Sequence, residues 1–183
     1  MYKRQVLETP GSNDTLYHTI PEFSLKNQDG KEFGIKDLDD KIFVADFFFT
    51  TCPSICPIMK TQMIRVNDEF GADEDFSIVS ISIDPRHDTV EVLKDYSDRM
   101  GVSGGSWDFL TGDLQDVLEI AQKGFLVSAA EDSTAPGGYI HSGAFILVDK
   151  DKRIRGYYDG TKEDKVNILI KDIRRLRKEY EES

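Results

Sequence analysis

The sequence predicts an α/β domain, a central mixed sheet flanked by helices with an N-terminal β-hairpin. Three observations carry that reading. Apolar runs of strand length, Ile42 to Phe49, Phe76 to Ile83 and Ala144 to Val148, are separated by segments whose apolar residues recur at helical spacing. Glycine, proline and aspartate mark the joins between them. The chain has 183 residues, 39% of them apolar, the size of one domain with a real core.

Taken in order, residues 1–20 are polar and aperiodic and read as a flexible N-terminal arm ahead of a domain spanning 21–183. His18, isolated there from other ligand types, reads as a solvated loop histidine. Phe23-Ser24-Leu25 and Phe33-Gly34-Ile35 flank Asn27-Gln28-Asp29-Gly30, the pattern of a hairpin. Ile42 to Phe49, broken only by Asp46, is apolar on both faces, as a central strand covered by helices is. Ile58, Met59, Met63, Val66 and Phe70 then give an amphipathic helix opened by Pro57 and stopped by Gly71. Met59 and Met63 share that helical period and read as core residues, not as metal ligands.

Phe76 to Ile83 alternates as a second strand and is closed by Asp84-Pro85-Arg86-His87-Asp88. Asp88 or Thr89 caps a helix that turns Val90, Leu93, Tyr96 and Met100 inward and ends at Gly101. After a short apolar segment, Trp107 to Leu110, a helix runs from Asp113 to about Lys123 with Leu114, Val117, Leu118 and Ala121 inward and Gly124 as C-cap. A loose polar loop from Ala129 to His141-Ser142 is of the kind that carries function. Ala144 to Val148 and Ile154 to Tyr158 form a hairpin. Thr161 caps a last helix with a buried stripe of Val166, Ile168, Leu169, Ile173 and Leu176. The order βαβα, then a helix, a hairpin and a final helix, is the thioredoxin-like layout.

The net charge of −11 excludes nucleic acid as a partner and suits a monomeric soluble domain. The longest apolar run is too short to cross a bilayer. The polar start reads as that of a trimmed piece, so an anchor is expected to have been removed.

The only two cysteines, Cys52 and Cys56, stand where the apolar strand breaks into a turn. On a helix, residues four apart have Cα atoms about 6 Å from each other on one face, which fits a redox pair, a soft-metal clamp or a static disulfide. A disulfide there closes so short a loop that it gives little entropic stabilisation. A thiol at a helix start also feels the positive end of the dipole, which favours the thiolate.

Phe49-Thr50-Thr51-Cys52-Pro53-Ser54-Ile55-Cys56-Pro57, Ser82-Ile83-Asp84-Pro85-Arg86-His87-Asp88-Thr89, Leu110-Thr111-Gly112, and His141-Ser142 ahead of Ile146-Leu147-Val148-Asp149 together resemble the SCO/SenC family of copper-binding proteins. The resemblance runs from about Pro21 to the final helix. It implies that Cys52, Cys56 and His141 are copper ligands. Copper(I) is soft, favours thiolates and accepts an imidazole, whereas structural zinc closes with four protein ligands; the working ion is Cu(I) or Cu(II). The resemblance further implies a metallochaperone that assists assembly of the dinuclear copper centre of cytochrome c oxidase. Its partners would be the oxidase's copper-binding subunit and a copper donor protein, and its place extracytoplasmic, on a membrane anchor, at the periplasmic side of a bacterial inner membrane. Family members usually carry an acidic residue directly before the histidine, and Ile140 stands there in this chain. Asp84 and Asp88 match the family's Asp-Pro-x-x-Asp-Thr segment; they read as a strand-end turn with a helix cap at Asp88, or as a surface beside the cysteine loop that docks a partner or supports the site. His87 beside them reads as solvated and is the first substitute ligand to test.

The rival expectation is a thiol-disulfide oxidoreductase acting through Cys52 and Cys56 to reduce its target's copper-ligand cysteines. The wide Cys-x-x-x-Cys spacing and the absence of proline just before Ile146 count against general redox work. A peroxidase would show Pro-x-x-x-Thr-x-x-Cys, but Ala45 and Phe49 occupy those places.

Overall fold

A computed structural model describes residues 6–7, 16–102, 105–132 and 139–182. Strands β1 (Val6–Leu7) and β2 (Leu16–Tyr17) pair antiparallel, and β3 (Ser24–Asn27) with β4 (Glu32–Gly34) forms the expected hairpin. The chain continues through β5 (Ile42–Phe48), helix α1 (Cys56–Phe70), β6 (Phe76–Ser82), α2 (Val90–Met100), β7 (Trp107–Thr111) and α3 (Leu114–Glu119). It ends with β8 (Ala129–Glu131), β9 (Tyr139–His141), β10 (Ala144–Val148), β11 (Ile154–Asp159) and α4 (Glu163–Glu181).

Seven strands make one mixed sheet in the order β11-β10-β5-β6-β7-β3-β4. The three central strands β5, β6 and β7 are parallel, and the outer pairings are antiparallel. This is a thioredoxin-like α/β architecture. Every residue of β5 and β6 is buried, because the sheet is covered on both faces. The alternation of β6 does not therefore mark a wet face. Ser77, Ser80 and Ser82 are buried and donate to the Ser106 carbonyl at 3.0 Å, Asp46 at 2.5 Å and Asp88 at 2.6 Å. Each hydroxyl has a partner, as burial demands.

Two helical stripes are narrower than their spacing suggests. Ile58 is 48% exposed and Ile168 44%, although each lies beside a buried residue, Met59 and Leu169. One position along a helix rotates a side chain by about 100°, so an extra apolar neighbour falls off the buried face. The N-caps also differ in part from expectation. Thr89, not Asp88, caps α2, and α4 begins after Lys162 because Thr161 instead donates to Asp159 at 2.5 Å. Beyond α3, Ile120–Gly124 continues as a π-helical turn where an unbroken helix was expected.

Ile20 is buried and its N–H donates to the Lys152 carbonyl at 2.8 Å, while Thr19 bridges Arg153. His18 is not solvated as its isolation suggested: it is half-buried, with Nε2 2.6 Å from the Gly124 carbonyl oxygen. Among the described residues no helix is long and apolar enough to cross a membrane.

Asp108 on β7 accepts a hydrogen bond from Asn27 Nδ2 at 3.0 Å. Burial nevertheless raises its pKa, with the Asn27 bond opposing the rise. A carboxyl whose pKa is raised by folding favours the folded state when protonated and loses that contribution as pH climbs through the native pKa. Asp108→Asn, which keeps an acceptor for Asn27, is therefore expected to raise stability at pH 7. Denaturation midpoints should show that gain shrink toward zero as pH falls through the carboxylate range.

Candidate metal centre

The site begins with the stiffness of β5. Phe47 and Phe49 are almost wholly buried, so the end of the central strand is fixed by the core before the turn starts. The Cys52 N–H donates to the Phe49 carbonyl at 3.2 Å and closes the turn. Cys56 is the first residue of α1, Pro57 follows it in the first helical turn, and the Ile58 and Met59 N–H groups both reach the Ile55 carbonyl. Proline is accommodated there because a first-turn N–H has no partner within the helix.

Neither cysteine is in a disulfide and both are buried, 8% and 6% exposed, with their thiols hydrogen-bonded to each other. The expectation of an acidic thiol at the helix start does not hold for Cys56. Burial pushes its pKa well above the usual thiol range, the bond to Cys52 adds to the rise, and a backbone hydrogen bond from Phe49 only partly offsets it. Desolvation outweighs the helix dipole. Met59 and Met63 are buried in the core, as their spacing predicted. Met59 and Met63 line a cavity of about 20 Å³ behind Cys56 with Asp46, Ser80 and Trp107, room for about one water molecule.

His141 lies in a strand, not in a loop as expected. Its backbone pairs with Ala129, and the Ser142 N–H donates to the Ser128 carbonyl at 3.0 Å. The pairing was hidden because Ala129-Ala130-Glu131 shows no apolar alternation. Two contacts bracket His141 against the cysteine turn. The Tyr139 ring lies 5.6 Å from the Phe49 ring, and a Cβ placed on Gly143 would lie 3.5 Å from Ile55 Cδ1. Phe49 precedes Cys52 and Ile55 precedes Cys56, so the strand runs beside the turn. The imidazole of His141 and the side chain of Ile140 fall outside what is described. Among the described residues no group of three or more His, Cys, Asp or Glu side chains is placed to hold a metal ion.

The loop after β6 carries contacts that sequence reasoning missed. Asp88 is fully buried and accepts from the Thr50 N–H at 3.0 Å, from the Thr50 hydroxyl and from Ser82 at 2.6 Å. Asp84 accepts from the Tyr139 hydroxyl at 3.0 Å. His87 is exposed, as expected. Of the two readings of these aspartates, the surface supporting the cysteine loop is the one these contacts favour, while their particular partners Thr50, Ser82 and Tyr139 carried no signal in the sequence.

A thioredoxin-like sheet bearing two reduced thiols at a strand-to-helix junction, with a histidine-bearing strand alongside, defines a dithiol protein whose cysteines are one residue wider apart than Cys-x-x-Cys. The chain belongs to the SCO1/SenC family, which matches residues 12–178. It is 32% identical over 163 residues to the SCO1 protein homolog of Bacillus subtilis, 88% of this chain and 84% of that one. It superposes on BsSco, described as a member of the Sco family of cytochrome c oxidase assembly proteins in which a disulfide switch was identified, with a TM-score of 0.74. Identity there is 30%, over 89% of this chain and 95% of the other. Copper-bound ScoI of Arabidopsis thaliana is 25% identical with a TM-score of 0.70, covering 85% of this chain and 98% of that one.

Proposed function

We propose that this protein is a copper metallochaperone that holds copper through Cys52, Cys56 and His141 and assists assembly of the dinuclear copper centre of cytochrome c oxidase. The observation that carries the reading is the pair of reduced, mutually hydrogen-bonded thiols beside the strand of His141. Two thiolates and one imidazole are the donor set a soft cation selects, and too few for structural zinc. Both cysteines are buried, and the contacts of Tyr139 with Phe49 and of Gly143 with Ile55 keep the backbone of the third donor beside the cysteine turn. Assembly of an oxidase centre is supported by family membership, by BsSco's description and by copper in the Arabidopsis relative. Family membership also supports a location outside the cytoplasm on a membrane anchor, with the oxidase's copper-binding subunit and a copper donor protein as the proposed partners.

Anaerobic titration with Cu(I) is expected to give about one copper per chain. His141→Ala should weaken binding by at least about 10-fold, given that loss even of a group supporting a ligand costs 10- to 100-fold. Unchanged affinity in that variant would remove His141 from the site.

A second reading, a thiol-disulfide oxidoreductase, is favoured by the hydrogen bond between the two thiols, since a disulfide needs neighbouring sulfurs. Rapid reduction of insulin disulfides by the dithiol form would rank it first; inertness toward insulin with tight copper binding would set it aside.

A further inference from the structure

We propose that the loop 84–88 is a strap that sets the position of His141 relative to the two cysteines, with Asp84 and Tyr139 as positioning residues of the metal site; this rests on the ligand set proposed above. The need for a strap follows from topology. Strands β8 and β9 form a separate two-stranded sheet outside the seven-stranded one. A lone two-stranded ribbon is marginal in water, so the place of His141 depends on side-chain tethers.

The loop supplies such a tether at both ends. Asp88 holds the cysteine side through Thr50, two residues before Cys52. Asp84 holds the histidine side through the Tyr139 hydroxyl at 3.0 Å, two residues before His141. Between its two carboxylates the loop is rigid, because the Asp88 and His87 N–H groups both return to the Asp84 carbonyl, at 2.9 and 3.1 Å. Its root is rigid as well. The Ile83 N–H continues the pairing to the Phe48 carbonyl at 2.9 Å, the Asp84 N–H donates to Ser82 Oγ, and Ser82 donates to Asp88.

The Tyr139 ring adds its contact with Phe49, and on the other strand Gln122 Nε2, from the π-helical turn, donates to the Ala129 carbonyl at 3.1 Å. Ala129 is the residue paired with His141. The histidine backbone is thus tied ahead by Tyr139 and across by Ala129.

Tyr139→Phe removes one hydroxyl and keeps the ring. In the copper-free protein, amide exchange in β8 and β9 should speed by about 10-fold or more in Tyr139→Phe and in Asp84→Asn, with β5 and β6 unchanged. With Cu(I), Tyr139→Phe should weaken affinity by about 10-fold. The same change made on top of His141→Ala should weaken it no further, and the Tyr139→Phe, Asp84→Asn double variant should match either single one. Unchanged exchange in β8 and β9 would overturn the strap, and so would an equal loss of affinity with and without His141. Should His141→Ala bind copper as the parent does, the ligand set falls, while faster exchange in Tyr139→Phe would still establish the tether.

Discussion

Cys56→Ser is expected to abolish stoichiometric copper binding while the domain stays folded. The serine oxygen is a hard donor that stays protonated at neutral pH, so a three-donor site for a soft cation drops to two. The loss should exceed the roughly 100-fold that removing a supporting partner costs. The change in stability should be modest, because Cys56 is in no disulfide and the substitution removes little volume from the first turn of α1. Burial holds the Cys56 thiol protonated in the copper-free protein, so binding must displace that proton. Cu(I) competition titration beside thermal unfolding separates the two effects. A Cys56→Ser protein that still binds one copper tightly would remove this thiol from the site.

Asp88→Ala is expected to be the most damaging polar substitution near the turn, at about 3–5 kcal/mol. The carboxylate is fully buried and accepts from the Thr50 N–H, the Thr50 hydroxyl and the Ser82 hydroxyl. Its removal leaves three donors in the interior, each lost bond to a buried group costing about 1–3 kcal/mol, with part of the sum recovered as the hydroxyls rotate. Asp88→Asn keeps two of the acceptor directions and should cost less. Urea denaturation should show the midpoint fall with the slope unchanged. A shift below about 0.5 kcal/mol in Asp88→Ala would mean that the carboxylate is dispensable.

Much of this fold was legible because strand and helix patterns are local. Ile42 to Phe49, Phe76 to Ile83 and Ala144 to Val148 announced the core strands, and the stripe Met59, Met63, Val66 and Phe70 announced the buried face of α1. Legibility failed where pairing, not pattern, makes the element. Residues 129–131 and 139–141 pair across a long gap without apolar alternation, and the serines of β6 look like a wet face until helices cover it. Asp88 could be read as a cap or as support for the cysteine loop, and its partner stayed hidden because Thr50 lies 38 residues away.

The sequence by itself determined that a dithiol turn sits at the end of a central strand and opens a helix, since apolar burial and proline placement act on neighbouring residues. Only the tertiary structure decided the state and setting of that turn. Burial of Cys56 overrides the helix dipole because desolvation depends on everything packed around the sulfur, not on its place in the helix. Likewise the strand of His141 reaches the turn through Tyr139, Asp84, Phe49 and Ile55, contacts between residues that only folding brings together.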